Sequence, residues 1–489
     1  MSGPTSVEVK ARSDVYIDGA FVESASSGHC LVVDPSTEEP LGTVPGGSAQ
    51  DVGAAVAAAG RAFEEWAALG PAGRAARFEG LGALIDEHAD ELAALIVAEV
   101  GATAAWARDV HVGRLAATIA NLLHLGEQLP PPEGIAQSMV VREPAGIVGS
   151  ISPWNYPFGF LTKVLPALVA GCTVVAKPSE VAPFSVYRLL ELIDELDVPP
   201  GVLNVVMGAG ATAGAALAAH PGIDVLTFTG SVRTGQQILA ALAPNITRPI
   251  LELGGKSAAI VLEGAPFEQA VRTTLWNCYM NNGQVCGAQT RLVVPRARLR
   301  EAAAIAADAA RTYVPGPPDD PATTLGPVVN AVQYERVLGY IRSGIAEGAT
   351  LVCGGVERPV GLPRGFFVQP TVFSDVDPDM TIAQEEIFGP VLSILGYVDE
   401  DDALHIANHS RYGLSGAVWA ASDAEAVRVA RRMRTGQVQI NAGVFNSLAP
   451  FGGFKRSGIG REGGVYGLLE FSEVKSMQLP AESPLRIAR

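Results

Sequence analysis

Apolar residues recur three and four positions apart through the alanine-rich stretch 48–124, as at Leu81, Leu84, Ile85, Leu92, Leu95 and Ile96. That spacing puts them on one helix face and predicts a run of helices. Residues 1–45 follow a different pattern. Short apolar runs lie between turn residues such as Asp18-Gly19 and predict strands joined by tight turns. Pro130-Pro131-Pro132 ends the helical pattern and opens a segment whose end, 138–142, reads as an exposed strand. Short β-branched runs then alternate with helical stretches. The runs are 146–151, 173–176, 203–207 and 225–228, and helices are predicted over 186–196 and 212–219. Strands at this spacing indicate βαβ units and a parallel sheet. A second α/β region runs from about Leu253 to Arg456, with strand candidates at 258–262, 292–294 and 391–396; 474–479 reads as one more strand. No repeat and no low-complexity linker separates the two halves.

A chain of 489 residues favours two or three domains, or one large α/β assembly. Hydrophobic residues make up 48% and charged residues 18%, a globular balance rather than a disordered one. The formal net charge of −16 opposes phosphate backbones, so nucleic acid is not the expected partner, although a dinucleotide in a local pocket is compatible. The five cysteines are odd in number and form no CxxC pair, which argues against a disulfide framework and against a zinc or other metal site. Residues 1–18 contain no apolar signal region, and the apolar run 164–176 is too short to span a bilayer. The expectation is a soluble, cytoplasmic protein with reduced thiols and no membrane partner.

Three segments carry candidate chemistry. Cys286 lies in Asn281-Asn282-Gly283-Gln284-Val285-Cys286-Gly287-Ala288, where glycines permit close approach of a reacting carbonyl. Its thiolate is a strong nucleophile if the site lowers its pKa from about 8.5. Asn155, in Ser152-Pro153-Trp154-Asn155-Tyr156-Pro157, offers an amide donor, and Glu252, in Leu251-Glu252-Leu253-Gly254-Gly255-Lys256, offers a carboxylate. Together they suggest covalent acyl chemistry. Cys30, Cys172, Cys278 and Cys353 read as small core residues. No histidine stands in a motif with Cys286, which weakens a Cys–His hydrolase reading.

Two glycine patterns compete for a cofactor. Residues 208–214 approximate GxGxxG between a strand and a helix, and read either as a phosphate loop with Gly210 as contact or as a tight turn. Phe228-Thr229-Gly230-Ser231 also joins strand to helix, and Ser231 with the helix's first N–H groups could hold a pyrophosphate. Lys177 and Glu180 follow a strand end, where ligands bind in open α/β sheets. A solvated turn is the plain alternative for both.

The segments at 152–157, 228–231, 251–256 and 283–286, with Lys177-Pro178-Ser179-Glu180, Glu385-Glu386-Ile387-Phe388-Gly389-Pro390 and Pro450-Phe451-Gly452-Gly453-Phe454-Lys455, resemble the aldehyde dehydrogenase superfamily over nearly the whole chain. Seven such segments in one order make the resemblance specific. It implies an α/β fold with three parts. A Rossmann-like parallel-sheet NAD(P)-binding domain would span 1–125 and 145–254, and a second α/β catalytic domain 255–467. A small β oligomerisation extension would use 126–144 and 468–489, giving a homodimer or homotetramer. It further implies NAD(P)-dependent oxidation of a small-molecule aldehyde to a carboxylic acid. Cys286 would be the nucleophile, Glu252 the general base, Asn155 an oxyanion donor, and Lys163 with Glu462 a proton relay. Ile151, Ser152, Trp154, Lys177, Ser179, Glu180, Gly210, Gly230, Ser231, Gly255, Glu386 and Phe388 would contact the cofactor.

The stretch from Asn155 to Lys163 is one residue shorter than the family's usual spacing. Tyr156, Phe160, Met280, Val285, Phe445 and Phe451 would line the aldehyde tunnel, with Gly287 also flanking the nucleophile. That set is apolar and aromatic, suiting a medium-sized aliphatic or aromatic aldehyde rather than one bearing a carboxylate. A carboxylate at Glu180 would accept from a ribose 2′-hydroxyl and repel a 2′-phosphate, favouring NAD over NADP. Glu252 favours hydrolysis over acyl transfer to coenzyme A, the branch that usually lacks it. Two rivals are a non-catalytic member of the fold, opposed by the intact Cys286, Glu252 and Asn155, and a nicotinamide-free cysteine acyltransferase, opposed by Gly230-Ser231 and Glu386/Phe388.

Overall fold

The β-branched runs pair side by side in a computed structural model that describes residues 11–483 and 485. Strands Arg248–Glu252, Val225–Thr229, Ile147–Ile151, Thr173–Lys177 and Leu203–Val205 lie in that spatial order and all run parallel. Every residue of Thr173–Lys177 is buried, as a central parallel strand covered on both faces requires. Helices Ala49–Ala68 and Gly159–Ala170 pack against these strands. The chain builds the sheet in one direction from Ile147–Ile151, then crosses to Val225–Thr229 on its other side. The carboxyl ends flanking that reversal are where a crevice for a ligand forms.

The edges are finished by antiparallel additions. The hairpin Asp14–Ile17/Ala20–Glu23 joins beyond Leu203–Val205, and its Asp18-Gly19 turn has φ of 56° and 76°. Two successive positive φ values are what a type I′ hairpin demands. At the other edge Gly458–Ile459 pairs with Arg248–Glu252, so part of the segment assigned to 255–467 belongs to the first sheet. The run Arg248–Glu252 gave no strand signal because Pro249 interrupts it; only one strand flanks that position, where a missing N–H is tolerated.

The second sheet orders Thr350–Cys353, Thr371–Ser374, Val391–Tyr397, Gln289–Pro295, Ser257–Val261, Gly416–Trp419 and Gln439–Ile440. All pairs are parallel except the first. Its two faces fill separate cores: Ala258, Ile260, Val293 and Val418 enter one, while Ala259, Val261, Leu292 and Ala417 enter the other. This is period-two alternation with both faces dry. Thr350–Cys353, Thr371–Ser374, Gly416–Trp419 and Gln439–Ile440 were not among the strands predicted from the sequence. A third sheet joins Ser472–Gln478, Ser138–Pro144 and Glu133–Ile135, antiparallel throughout.

Helix bounds shift for local reasons. The helix predicted over 186–196 runs Phe184–Asp194, because buried Glu99 accepts the first N–H groups, of Phe184 and Ser185. The one predicted over 212–219 opens as a π-helical turn, Gly210–Gly214, before Ala215–Ala219. Cys172 and Cys278 are buried, but Cys30 and Cys353 are only half-buried, which corrects their assignment to the core; all five thiols are unpaired. Residues 1–10, 484 and 486–489 of the assigned domains lie outside the described residues. Among those described, no helix is long and apolar enough to cross a membrane.

Arg291 ties the second domain together. Fully buried, it donates to the carbonyls of Lys256 (2.9 Å), Ile406 (2.8 Å) and Ala407 (2.8 Å), the last two closing the helix Glu400–Asn408. Arg291→Met is expected to cost about 2–4 kcal/mol, since three buried acceptors lose their donor. An unchanged calorimetric melting profile would show that other donors replace it.

Candidate active site

Cys286 sits after a turn that few sequences could make. Helix Phe267–Tyr279 ends, and Asn281, Asn282 and Gly283 follow with φ of 50°, 59° and 79°. Asparagine tolerates this left-handed region better than other side chains. At Gly283 a Cβ would lie 2.1 Å from the Gly389 carbonyl carbon, so only glycine fits. The polar side chains of the motif then clamp the turn from three directions. Asn281 donates to the Asn155 carbonyl (2.9 Å). Asn282 donates to the carbonyls of Gly101 (2.8 Å) and Pro327 (2.9 Å) and accepts from the Gly326 N–H (2.7 Å). Gln284 accepts from the Val329 N–H (2.9 Å).

Three groups far apart in sequence meet at this turn. Buried Asn155 donates its side-chain amide to the Gln284 carbonyl at 2.9 Å, two residues before Cys286. Gly255 packs so closely on the Cys286 carbonyl that a Cβ there would come within 2.7 Å. That contact brings the end of strand Arg248–Glu252, and with it Glu252, to the same place. Glu252 is 3% exposed, and neither carboxylate oxygen has a hydrogen-bond partner among the described residues. Gly452 lies against it: a Cβ on that residue would sit 2.6 Å from Oε1.

Behind the carboxylate, Lys163 pairs with Glu462 and donates to Thr227 Oγ1 (3.2 Å). The shortened stretch before Lys163 therefore still lets it reach Glu462. Phe451 and Glu462 exchange backbone hydrogen bonds of 2.7 and 2.8 Å. Burial, then the Glu462 charge, raises the Glu252 pKa well above the usual carboxylate range, against the opposing pull of Lys163 and Arg461. The condition of a lowered thiol pKa is not met by these surroundings. Burial, then the carboxylates of Glu386 and Glu252, pushes Cys286 up to about 12.

The cofactor candidates line the strand ends. Ile151 and Lys177 are register partners, and the Ser152 N–H donates to the Lys177 carbonyl (3.1 Å). Lys177 pairs with Glu180 (3.0 Å) and donates to the Pro178 carbonyl (2.8 Å). Ser179 accepts from the Val181 N–H (3.2 Å). The Gly210 N–H donates to Glu180 (3.1 Å), so the 208–214 loop spends this donor on the protein itself. Ser231 caps the helix Val232–Leu242 by accepting from the Thr234 N–H (3.1 Å), and the Gly230 N–H donates to the Glu252 carbonyl (3.0 Å).

Glu386 accepts from the Gly255 N–H (3.0 Å), and burial raises its pKa to about 7. The Phe388 ring meets Trp154 edge-on at 5.5 Å. Phe388 itself holds a φ of 63°.

The expected tunnel residues divide. Tyr156, Met280, Val285 and Phe451 are half-buried, and Phe445 is exposed and edge-on to Phe451 at 6.0 Å. Phe160 has no exposed surface and packs in the first domain's core. Met280 also lines a cavity of about 90 Å³ with Trp106, Trp276, Asn281 and Tyr313.

Several residues at the site gave no motif. Arg336 and Gln333 hold the carbonyls of Glu386 (2.5 Å) and Phe388 (2.7 Å). Thr227 was detectable only as a polar residue inside an apolar strand run. His111, stacked on Tyr156 at 4.7 Å, had no sequence signal at all.

Residues 21–477 match the aldehyde dehydrogenase family. A 3-succinoylsemialdehyde-pyridine dehydrogenase from Pseudomonas sp. is 44% identical over 474 residues, 95% of this chain and 98% of its own. The chloroplastic betaine aldehyde dehydrogenase of Beta vulgaris is 38% identical over 482 residues, 95% of each chain. A cysteine-to-alanine mutant of aldehyde dehydrogenase C from Pseudomonas syringae, solved with NAD+ and octanal, superposes with a TM-score of 0.94 at 42% identity, covering 100% of both chains. A Mycobacterium tuberculosis aldehyde dehydrogenase solved with NAD+ gives a TM-score of 0.94 at 41% identity, covering 97% of this chain and 100% of that one. Such agreement in sequence and in backbone, end to end, leaves one assignment: the chain belongs to the aldehyde dehydrogenase family.

Proposed function

We propose that the protein oxidises a medium-sized aliphatic or aromatic aldehyde to the carboxylic acid through a thioester on Cys286. The observation that carries this is the meeting of Asn155, Glu252 and the Cys286 turn, with a buried carboxylate that none of the described residues satisfies. It is an NAD-dependent aldehyde dehydrogenase. Ser152 Oγ is buried without a partner, and Glu180 and Glu386 present carboxylates suited to ribose hydroxyls, so the residues present fit NAD. Lys177 and Glu180 would hold the adenosine ribose, Ser231 the pyrophosphate, Glu386 the nicotinamide ribose, and Phe388 the ring. When bound, NAD+ would supply the hydride acceptor.

Solvent takes the Cys286 thiol proton, the thiolate adds to the aldehyde carbon, and the carbonyl electrons move onto oxygen. The Asn155 side-chain amide and the Cys286 N–H stabilise that oxyanion; one such donor is worth about 2.7–4 kcal/mol in the transition state. The oxyanion collapses as hydride leaves carbon, giving a thioester. Glu252 then takes a proton from water, the resulting hydroxide attacks the thioester carbon, and the acid departs as the sulfur is released. Lys163 and Glu462 carry the proton onward from Glu252.

The apolar pocket side chains Tyr156, Met280 and Phe451 support the substrate class, which the octanal-bound relative also fits. Purified protein is expected to form NADH with octanal and benzaldehyde; inactivity across a broad aldehyde panel would refute the reading. NAD should exceed NADP in kcat/KM by about tenfold or more, because a carboxylate and a 2′-phosphate repel. Glu180→Ser should narrow that ratio, and an unchanged ratio would remove Glu180 from cofactor choice.

The exposed edge Ser472–Gln478 offers unpaired backbone for joining a second subunit, supporting a homodimer or homotetramer. Five unpaired thiols suit a reducing, cytoplasmic setting.

A further inference from the structure

His111 lies 170 residues from its partner in the nucleophile turn and belongs to no motif. It sits on a π-helical turn, Ala107–Val112, a rare geometry that often marks a functional position. The residue is 3% exposed. Its Nε2 lies 3.3 Å from Asn281 Oδ1, and its ring stacks on Tyr156 with centroids 4.7 Å apart and planes 22° apart.

The hydrogen-bond directions follow from what each group can do. The Asn155 carbonyl only accepts, so Asn281 must turn its Nδ2 toward it, at 2.9 Å. That fixes Oδ1 on the opposite side, where it needs a donor. His111 must therefore carry its proton on Nε2, which leaves Nδ1 as a bare acceptor. Nδ1 is indeed buried without a partner among the described residues. Burial also lowers the histidine pKa to about 4, so the ring stays neutral. The direction of donation is thus His111 to Asn281 to the Asn155 backbone.

We infer that His111 is a positioning residue: through Asn281 it fixes the Asn155 backbone, and through its ring it fixes neighbouring Tyr156, so that the Asn155 amide meets the substrate oxygen. The inference rests on the reading of Asn155 as an oxyanion donor. Asn155 is then held at two points by the nucleophile's own turn, its carbonyl by Asn281 and its side chain by the Gln284 carbonyl. Removing the Nε2–H frees the Asn281 amide to rotate and loosens the first of these anchors. An oxyanion donor is sensitive to such loosening, because its value depends on being aimed before charge develops.

The test compares single-turnover NADH formation and steady-state kinetics in variants of the full-length enzyme. His111→Phe keeps a flat ring over Tyr156 and removes the donor. It should lower the rate of NADH formation and kcat by about tenfold, the scale of one lost hydrogen bond, with KM for the aldehyde within about twofold. His111→Gln, whose amide reaches close to where Nε2 sits, should recover most of the rate. In an Asn155→Ala background His111→Phe should cause no further loss. Should His111→Phe fail to fold, Asn281→Asp breaks the same chain of bonds at its other end and should show the same kcat loss and the same non-additivity with Asn155→Ala. A wild-type rate in His111→Phe, or a full tenfold loss persisting without Asn155, would overturn the inference alone. A wild-type rate in Asn155→Ala would instead overturn the oxyanion assignment, and this inference with it.

Discussion

Cys286→Ala is expected to abolish NADH formation, lowering turnover by about 10⁴-fold or more, because no other thiol stands where the aldehyde carbon must sit. Cys172, Cys278 and Cys353 turn their sulfurs to the carbonyls of Phe471, Val391 and Pro370. The fold should survive the change, since the close packing at this position involves the Cys286 carbonyl and Gly255 rather than the sulfur. The measurement is growth of near-ultraviolet absorbance with aldehyde and NAD+, alongside a melting curve. A normally folded variant that still turns over at the wild-type rate would remove Cys286 as the nucleophile.

Glu252→Gln has the second largest expected effect and a different shape. Addition of the thiolate and loss of hydride do not require water activation, so one burst of NADH should appear. Turnover should then stall at the thioester, with the steady state down by about 10²–10⁴-fold. The pH dependence follows from the raised pKa of Glu252. A carboxylate acts as base only when deprotonated, so wild-type turnover should climb with pH through a range above that of an ordinary carboxylate, then level off. The variant should lose that ascending limb. Full steady turnover by the variant near neutral pH would count against Glu252 as the base. Absence of even the burst would give it the thiol's proton as well.

How much of this was legible before the structure depends on distance along the chain. The strands ending at Ile151, Lys177 and Thr229 announced themselves through short β-branched runs, and the chemistry-bearing residues follow their carboxyl ends. Strand Arg248–Glu252 did not, although it delivers the proposed base, because Pro249 masked it. Asn281 and Asn282 were visible only as company for Cys286; their clamping bonds reach Asn155, Gly101 and Pro327, and no local pattern encodes such partners. The sign of the thiol's pKa shift was also hidden. It depends on Glu386, one hundred residues later, and on burial that a motif does not reveal. Phe160 looked like a wall of the tunnel but faces the core, a matter of which side of a helix it occupies.

The Asn282 bonds carry one consequence for motion. A single side chain fastens Gly101, beyond the helix Ala89–Val100 of the first domain, to Gly326 and Pro327 of the second. Swinging the two lobes apart would tear at the very bend that aims the sulfur. Loading and release of the dinucleotide are therefore expected to use local rearrangement at the crevice mouth rather than parting of the two lobes, and amide exchange at Gly326 that stays slow with and without NAD+ would bear this out.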